Sequence, residues 1–258
     1  METLRVTPVQ IELEWENPTA NKNRLAEAMA PFAGKTDLLI LPEMFTTGFS
    51  MNPAPLAETM DGPSVSWMQA QADKLQAAIT GSLIIEENGK YYNRLLFLSP
   101  GKKIHSYDKK HLFGMAGEGD HYEAGTEKLI LEYKGWKICP LICYDLRFPV
   151  WARNAEDYDL LIYVANWPEK RNYAWRALLQ ARAIENQAYV IGVNRVGMDA
   201  NGHSYSGDSV VYAPMGDTPL FEQAHTASME TVELQKSNIR RIREKLPFLA
   251  DRDQFQIL

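Results

Sequence analysis

Cysteine is scarce in this chain, 2 in 258 residues. That is too few for a disulfide framework, so the fold has to rest on its apolar core. Long apolar runs are missing too: the longest, Leu160 to Ala165, has six residues, against the roughly 20 that cross a bilayer. The start, Met1-Glu2-Thr3-Leu4-Arg5, lacks the basic-then-apolar pattern of a secretory signal, and the expected compartment is the cytoplasm. Positive charge is not in excess. Lys+Arg 27 against Asp+Glu 33 leaves a net charge of −6 and a pI near 5.5, which speaks against nucleic acid or an anionic membrane as partner. A Gly-x-Gly-x-x-Gly turn, a Walker loop and a His-Glu-x-x-His pair are all absent, so no nucleotide cofactor and no metal is indicated. The default left by these absences is a protein acting on a small molecule.

What is present is ordinary for a globular protein: 45% hydrophobic and 23% charged residues, with no repeat, linker or low-complexity tract. A single domain over 1–258 is expected. Apolar runs predict strands over 4–11, 37–42, 79–87, 91–99, 128–133, 136–142, 158–165 and 188–194. Asn17-Pro18 supplies a cap and a first-turn proline for a helix carrying Leu25, Ala28, Met29 and Phe32 on one face. A second helix is predicted from Val65, Met68, Ala72, Leu75 and Ile79, and a third over 172–185 with a stripe of Ala174, Leu178, Ala181 and Ile184. Strands and turns follow from about Gly207, then a last helix over 234–245. The tail over 247–258 has little pattern and reads as an extended arm. Strand and helix signals alternating throughout predict an α/β layered fold.

Active-site groups in such folds sit where strands end. Glu43 follows the run Leu38-Leu39-Ile40-Leu41-Pro42; burial at such a strand mouth would make it a proton carrier, whereas exposure would make it an ordinary strand-end carboxylate. Cys143 ends a strand and begins Cys143-Tyr144-Asp145-Leu146-Arg147-Phe148-Pro149. A sharp turn there presents the side chain beside free backbone N–H groups, which suits a nucleophile and its oxyanion. Cys139, inside the strand, fits the reading of a free cysteine as a small buried hydrophobe. The third place is Tyr107-Asp108-Lys109-Lys110-His111-Leu112-Phe113, read either as a solvated loop or as the source of a fixed positive charge in a dry pocket. Spacing alone leaves His111 open between a partner for a cysteine nucleophile and a packed, hydrogen-bonded side chain.

Taken together, these segments resemble the nitrilase, or carbon–nitrogen hydrolase, superfamily, whose members carry a Glu-Lys-Cys triad in that chain order. The resemblance selects Glu43 in Leu41-Pro42-Glu43-Met44-Phe45, Lys109 two residues before His111, and Cys143. Glu118, seven residues before Gly125, matches a second glutamate often present, and Arg182 to Val190 matches a structural helix–strand segment. It implies a four-layer α-β-β-α sandwich, a homodimer, no cofactor, and amide hydrolysis through a cysteine thioester. Glu43 would be the general base, and Lys109 with the Tyr144 backbone N–H the oxyanion site. The segments Phe45-Thr46-Thr47-Gly48-Phe49, Asn166-Trp167-Pro168 and Asn194-Arg195-Val196-Gly197 look most like the bacterial omega-amidase subgroup, which hydrolyses 2-oxoglutaramate and 2-oxosuccinamate. Such a substrate needs a cation for its carboxylate: Arg171 is the candidate, with Phe45 and Trp167 as apolar walls. Arg147, beside Asp145, reads as a structural ion pair. The rival readings are a sister hydrolase of N-carbamoyl amino acids or deaminated glutathione, and a non-catalytic binding protein on the same scaffold.

Overall fold

The computed structural model describes residues 1–101 and 103–256. In chain order its elements are β1 (Thr3–Gln10), α1 (Pro18–Met29), β2 (Leu38–Ile40), α2 (Pro63–Leu75), β3 (Ala78–Glu87), β4 (Lys90–Ser99), β5 (Lys103–Asp108), β6 (Leu131–Tyr133), β7 (Trp136–Ile142), α3 (Pro149–Ala152), β8 (Leu160–Ala165), α4 (Asn172–Asn186), β9 (Tyr189–Asn194), β10 (Val196–Met198), β11 (Ser204–Tyr212), β12 (Pro219–Ala224), β13 (Ser228–Met229), β14 (Val232–Gln235) and α5 (Lys236–Lys245).

The strands form two sheets. The first runs β13-β1-β2-β3-β4-β5, with β14 also paired to β1; the second runs β10-β11-β9-β8-β7-β6, with β12 also paired to β11. At the centre of each, three strands are parallel: β1, β2 and β3 in one, β7, β8 and β9 in the other. Parallel strands are buried on both faces, and the period of two shows what covers each face. Leu38 and Ile40 of β2 pack in the cluster between the sheets, with Ile138, Ile162 and Val164. Leu39 and Leu41 point the other way, onto Leu25 and Met29 of α1 and Met68, Ala72 and Leu75 of α2. On the far side of the second sheet, Trp175, Leu179 and Ala183 of α4 close the stack. The result is the α-β-β-α sandwich, in which each fully buried Leu or Ile contributes about 1.5–3 kcal/mol.

Helix starts follow local chemistry. The Asn17 side chain accepts from Ala20 N at 3.1 Å ahead of Pro18, and Glu58 caps α2 through Ser64 N at 2.6 Å. Several boundaries differ from the sequence expectation. Helix α2 ends at Leu75, where Gln76 turns left-handed at φ 54°, so Ile79 belongs to β3. The buried face of α4 is Trp175, Leu179, Arg182, Ala183 and Asn186, one position away from the expected stripe, and Ile184 is exposed. Val232–Gln235 is a strand, which delays the last helix to Lys236. The tail opens with a 3-10 turn, Phe248–Asp251, and Arg252 Nη1 donates to Asp157 at 2.7 Å. This part therefore lies against its own chain; residues 257 and 258 of the expected arm lie outside the described residues. Among the described residues no helix is long and apolar enough to cross a membrane.

Candidate active site

Three chain segments that leave the sheets at one end bring four side chains into a single buried cluster. Glu43 follows β2, Lys109 follows β5, Cys143 follows β7, and Glu118 sits in a 3-10 turn, Glu118–Asp120, after β5. Glu43, Lys109 and Glu118 are all fully buried. Lys109 Nζ donates to Glu43 Oε1 at 2.9 Å and to Glu118 Oε1 and Oε2 at 3.0 and 2.9 Å. Lys110, its neighbour, faces the other way, over the Trp151 ring at 5.5 Å. A Cβ on Gly125 would stand 2.2 Å from Asp108 O. Only glycine therefore lets residue 125 approach closely enough for its N–H to reach Lys109 O, at 2.9 Å.

The carboxylates have further partners that sequence reasoning did not single out. Asn93 Nδ2, from the middle of β4, donates to Glu43 Oε1 at 2.8 Å and to Glu118 Oε1 at 3.3 Å. Asn166, just beyond β8, gives its backbone N–H to Glu43 Oε2 at 2.9 Å and its amide to Glu43 O at 2.6 Å. Phe113 N donates to Glu118 Oε2 at 2.5 Å. The only sequence signal for Asn93 was a polar side chain inside a predicted strand. Asn166 stood in a quoted motif but had no role.

These contacts set the charges. Burial pushes Lys109 towards its neutral form, but Glu118 and Glu43 outweigh it and hold the ammonium well above its ordinary pKa. Lys109 is a fixed cation, not a proton carrier. Glu118 is raised by burial and by the Glu43 charge, with Lys109 opposing. The Cys143 thiol is pushed well above the usual range by burial and by its hydrogen-bonded neighbour Glu43, against the opposing pull of Lys109. With its thiol held up in this way, Cys143 has to lose its proton as it attacks.

Cys143 stands at φ 42°, in the left-handed region, at the head of the 3-10 turn Cys143–Arg147. First-turn N–H groups of a helical segment have no acceptor within it, which leaves the Tyr144 N–H beside the thiol. Asp145 is buried under the turn. His111 resolves to the packed alternative: its ring stacks on Phe148 at 3.7 Å between centroids, and its Nδ1 contacts Asp145 Oδ1 at 2.8 Å. Cys139 is fully buried in β7, and burial pushes its thiol up to about 12.

A cavity of about 530 Å³ opens above Lys109 and Cys143, walled by Trp15, Phe49, Phe113, Tyr144 and Trp167. Trp167 lines it as expected; Phe45 does not. Met44 turns the chain at φ 42°, and the Phe45 ring is buried in the outer core against Trp67, 5.8 Å away. Arg171 lines the cavity, its guanidinium 5.2 Å from the Phe113 ring centroid. Arg147 lines it too, stacked over Trp167 at 5.0 Å, and makes no ion pair with Asp145, whose oxygens are taken by other donors. Neither arginine has a carboxylate partner among the described residues. No group of His, Cys, Asp and Glu able to hold a metal ion is found among them either.

Comparison with known proteins places this geometry. The carbon-nitrogen hydrolase family model matches residues 5–244. Over its full length, and that of the relative, the chain is 47% identical to the omega-amidase YafV of Escherichia coli K12. It is 31% identical to the 2-oxoglutaramate amidase of Bacillus subtilis, with 95% of this chain and 96% of that one aligned. Among solved structures, XC1258 of Xanthomonas campestris, a CN-hydrolase superfamily protein with an arsenic adduct in its active site, superposes with a TM-score of 0.97 at 43% identity, each chain covered completely. Saccharomyces cerevisiae Nit3 shares the fold, with a TM-score of 0.82 at 24% identity over 95% of each chain. With a family match over nearly the whole sequence and full-length relatives well above 30% identity, this chain belongs to the carbon–nitrogen hydrolase family.

Proposed function

We propose that this protein is an omega-amidase, hydrolysing the terminal amide of short 2-oxo acid amides such as 2-oxoglutaramate and 2-oxosuccinamate to the acid and ammonia. One observation carries the reading. In a chain 47% identical throughout to an omega-amidase, a cavity whose floor holds Lys109 and Cys143 is rimmed by two arginines, Arg147 and Arg171, without carboxylate partners among the described residues. The floor suits a neutral carboxamide and the rim suits a carboxylate at the other end of a short chain.

The reaction follows from the charges. As Cys143 Sγ attacks the amide carbon, its proton passes to Glu43. The carbonyl oxygen takes up the negative charge, met by the Lys109 ammonium and the Tyr144 N–H; losing one such contact costs about 3–4 kcal/mol in the transition state. Glu43 returns the proton to the amide nitrogen, the C–N bond breaks, and ammonia leaves a thioester on Cys143. Water then gives its proton to Glu43 and its oxygen to the thioester carbon, and the proton ends on the departing sulfur. Glu118 holds Lys109 in place throughout. We infer one domain spanning the chain, since β13 and β14 bring its end back to β1. A homodimer is supported by the exposed apolar side chains Val150, Tyr173 and Ile184 on α3 and α4, and light scattering tests it.

The deciding experiment is ammonia release from 2-oxoglutaramate and 2-oxosuccinamate beside N-carbamoyl amino acids, deaminated glutathione, aliphatic amides and nitriles, with Cys143→Ala in parallel. Turnover of the two oxo-amides should lead, and vanish in the variant. Activity surviving in Cys143→Ala refutes the chemistry; preference for another substrate moves the protein to a sister activity.

A further inference from the structure

Besides the reacting groups, the site has one buried carboxylate that the chemistry above leaves without a task. Asp145 is fully buried and has no Lys or Arg partner among the described residues, yet each of its oxygens has two partners. Oδ2 accepts from Ile142 N at 3.0 Å and from the Tyr107 hydroxyl at 2.7 Å. Oδ1 accepts from His111 N at 3.0 Å and meets His111 Nδ1 at 2.8 Å. An ionised carboxylate is acceptor-only, with about four lone-pair positions for donors. The fourth donor here is the His111 tautomer that carries its proton on Nδ1.

The placement of those donors gives the feature its meaning. Tyr107 and His111 flank Lys109 at two residues on either side, on the segment leaving β5 of the first sheet. Ile142 and Asp145 flank Cys143, on the segment leaving β7 of the second. The Tyr107 hydroxyl also accepts from Lys110 N at 3.2 Å and Trp151 Nε1 at 3.0 Å, which fixes its direction. From the back of the turn, Arg182 Nη2 holds Leu146 O at 2.6 Å. Cys143 meanwhile sits at φ 42°, a conformation that persists in a non-glycine residue only when its surroundings impose it.

We propose that Asp145 is a positioning residue: a single carboxylate that stitches the thiol-bearing turn to the lysine-bearing segment and thereby sets where Cys143 Sγ stands relative to Lys109 and Glu43. It touches neither substrate nor the reacting atoms. Its contribution is geometric, and geometry matters steeply here, because displacing a reacting group by about 1 Å can cost about a hundredfold in rate.

This proposal rests on the proposed amidase reading, and the test keeps the two separable. Asp145→Asn has nearly the same shape but turns two acceptor positions into an N–H donor facing donors. Tyr107→Phe removes one bond and little volume. For each, kcat and KM are measured on the best substrate, together with the rate at which iodoacetamide alkylates Cys143, a readout independent of substrate identity. In folded Asp145→Asn we expect kcat to fall by about a hundredfold with KM within about threefold, and the alkylation rate of Cys143 to change as well. In Tyr107→Phe the same pattern should be smaller, with kcat down about fivefold to tenfold, the size of one lost hydrogen bond. If kcat and alkylation in folded Asp145→Asn both stay within about threefold of the parent, the proposal is overturned. So it is if kcat falls while alkylation stays unchanged, since the carboxylate would then act elsewhere. Should Asp145→Asn fail to fold, Tyr107→Phe decides, and unchanged kcat with unchanged alkylation there rejects the idea. If the parent turns over none of the amides, the amidase reading fails, while alkylation still judges the positioning role.

Discussion

Replacing Lys109 by methionine probes the electrostatic centre of the site directly. Among the described residues the lysine is the only cation that bonds Glu43 and Glu118, and all three side chains are fully buried. Methionine fills a similar volume and removes the charge, leaving two carboxylates with neutral donors, among them Asn93, Asn166 and Phe113. Breaking a buried ion pair by deleting one partner typically costs about 3–5 kcal/mol, so Lys109→Met should lose about that much stability at pH 7.5, besides its activity. The pH dependence separates this from a packing defect. Glu118 is already raised by burial and by the Glu43 charge with Lys109 in opposition, and without the lysine the pair has to bind a proton more tightly when folded than when unfolded. A group with a raised folded pKa contributes stability that is complete at low pH and is lost as pH rises through that pKa. The difference between Lys109→Met and the parent should therefore shrink as pH falls from 8 to 5.5. Adding Glu118→Gln, which removes one of the like charges, should recover part of the loss at pH 8. Urea unfolding at the two pH values measures all of this. A deficit under about 1 kcal/mol, or one equal at both pH values, would refute the reasoning.

Other expectations follow from the same contacts. Iodoacetamide should modify Cys143, which lines the cavity, and leave Cys139 untouched in the folded protein; because the Cys143 thiol is held above its ordinary range, its alkylation rate should keep rising beyond pH 9, and a plateau near pH 7 would contradict the neutral resting thiol. Arg171→Leu should raise KM for 2-oxoglutaramate by about tenfold to a hundredfold, the worth of a charged hydrogen bond, with little change in kcat, and an unaltered KM rejects the rim as the carboxylate site. Burial raises the Asp37 carboxyl, but Arg5 and Lys134 outweigh it and hold its pKa at about 2 against an ordinary 3.8. Asp37→Asn should accordingly cost about 2 kcal/mol near pH 6, a cost present above about pH 4 that fades as pH falls towards 2; equal costs at pH 6 and pH 3 in urea unfolding would remove Asp37 from the acid response.

The sequence carried a great deal of this structure, and its failures have physical reasons. Glu43 and Cys143 were legible because each ends an apolar strand, and Lys109 because it lies in the distinctive run Tyr107 to Phe113. The strand β5 was missed because it is an edge strand, and edge strands are polar: Lys103 and His105 stand where an inner strand would be apolar. The stripe of α4 came out one position wrong because two of its buried positions are polar, Arg182 bonded to Leu146 O and Asn186 to Asn154 N. A hydrophobicity pattern reads those as surface. Phe45 was misplaced because nothing in a sequence announces the positive φ at Met44 that sends the two neighbours of that residue in opposite directions. Asn93 shows the remaining gap. A lone asparagine in a strand states that it needs partners, and only the folded chain says that they are the two glutamates.

The distribution of the site over the two sheets has a consequence for the life of the chain. Glu43 and Lys109 leave strands of the first sheet, Cys143 and Asn166 leave strands of the second, and β1 of the first sheet pairs with β13 and β14, which end only at Gln235. On the ribosome, the first sheet is therefore incomplete until residue 235 has been made. A nascent or half-opened molecule holds its thiol on one piece and its cation and base on another. Under the proposed chemistry such a molecule has no assembled site, so amide cleavage waits until the two sheets have packed together.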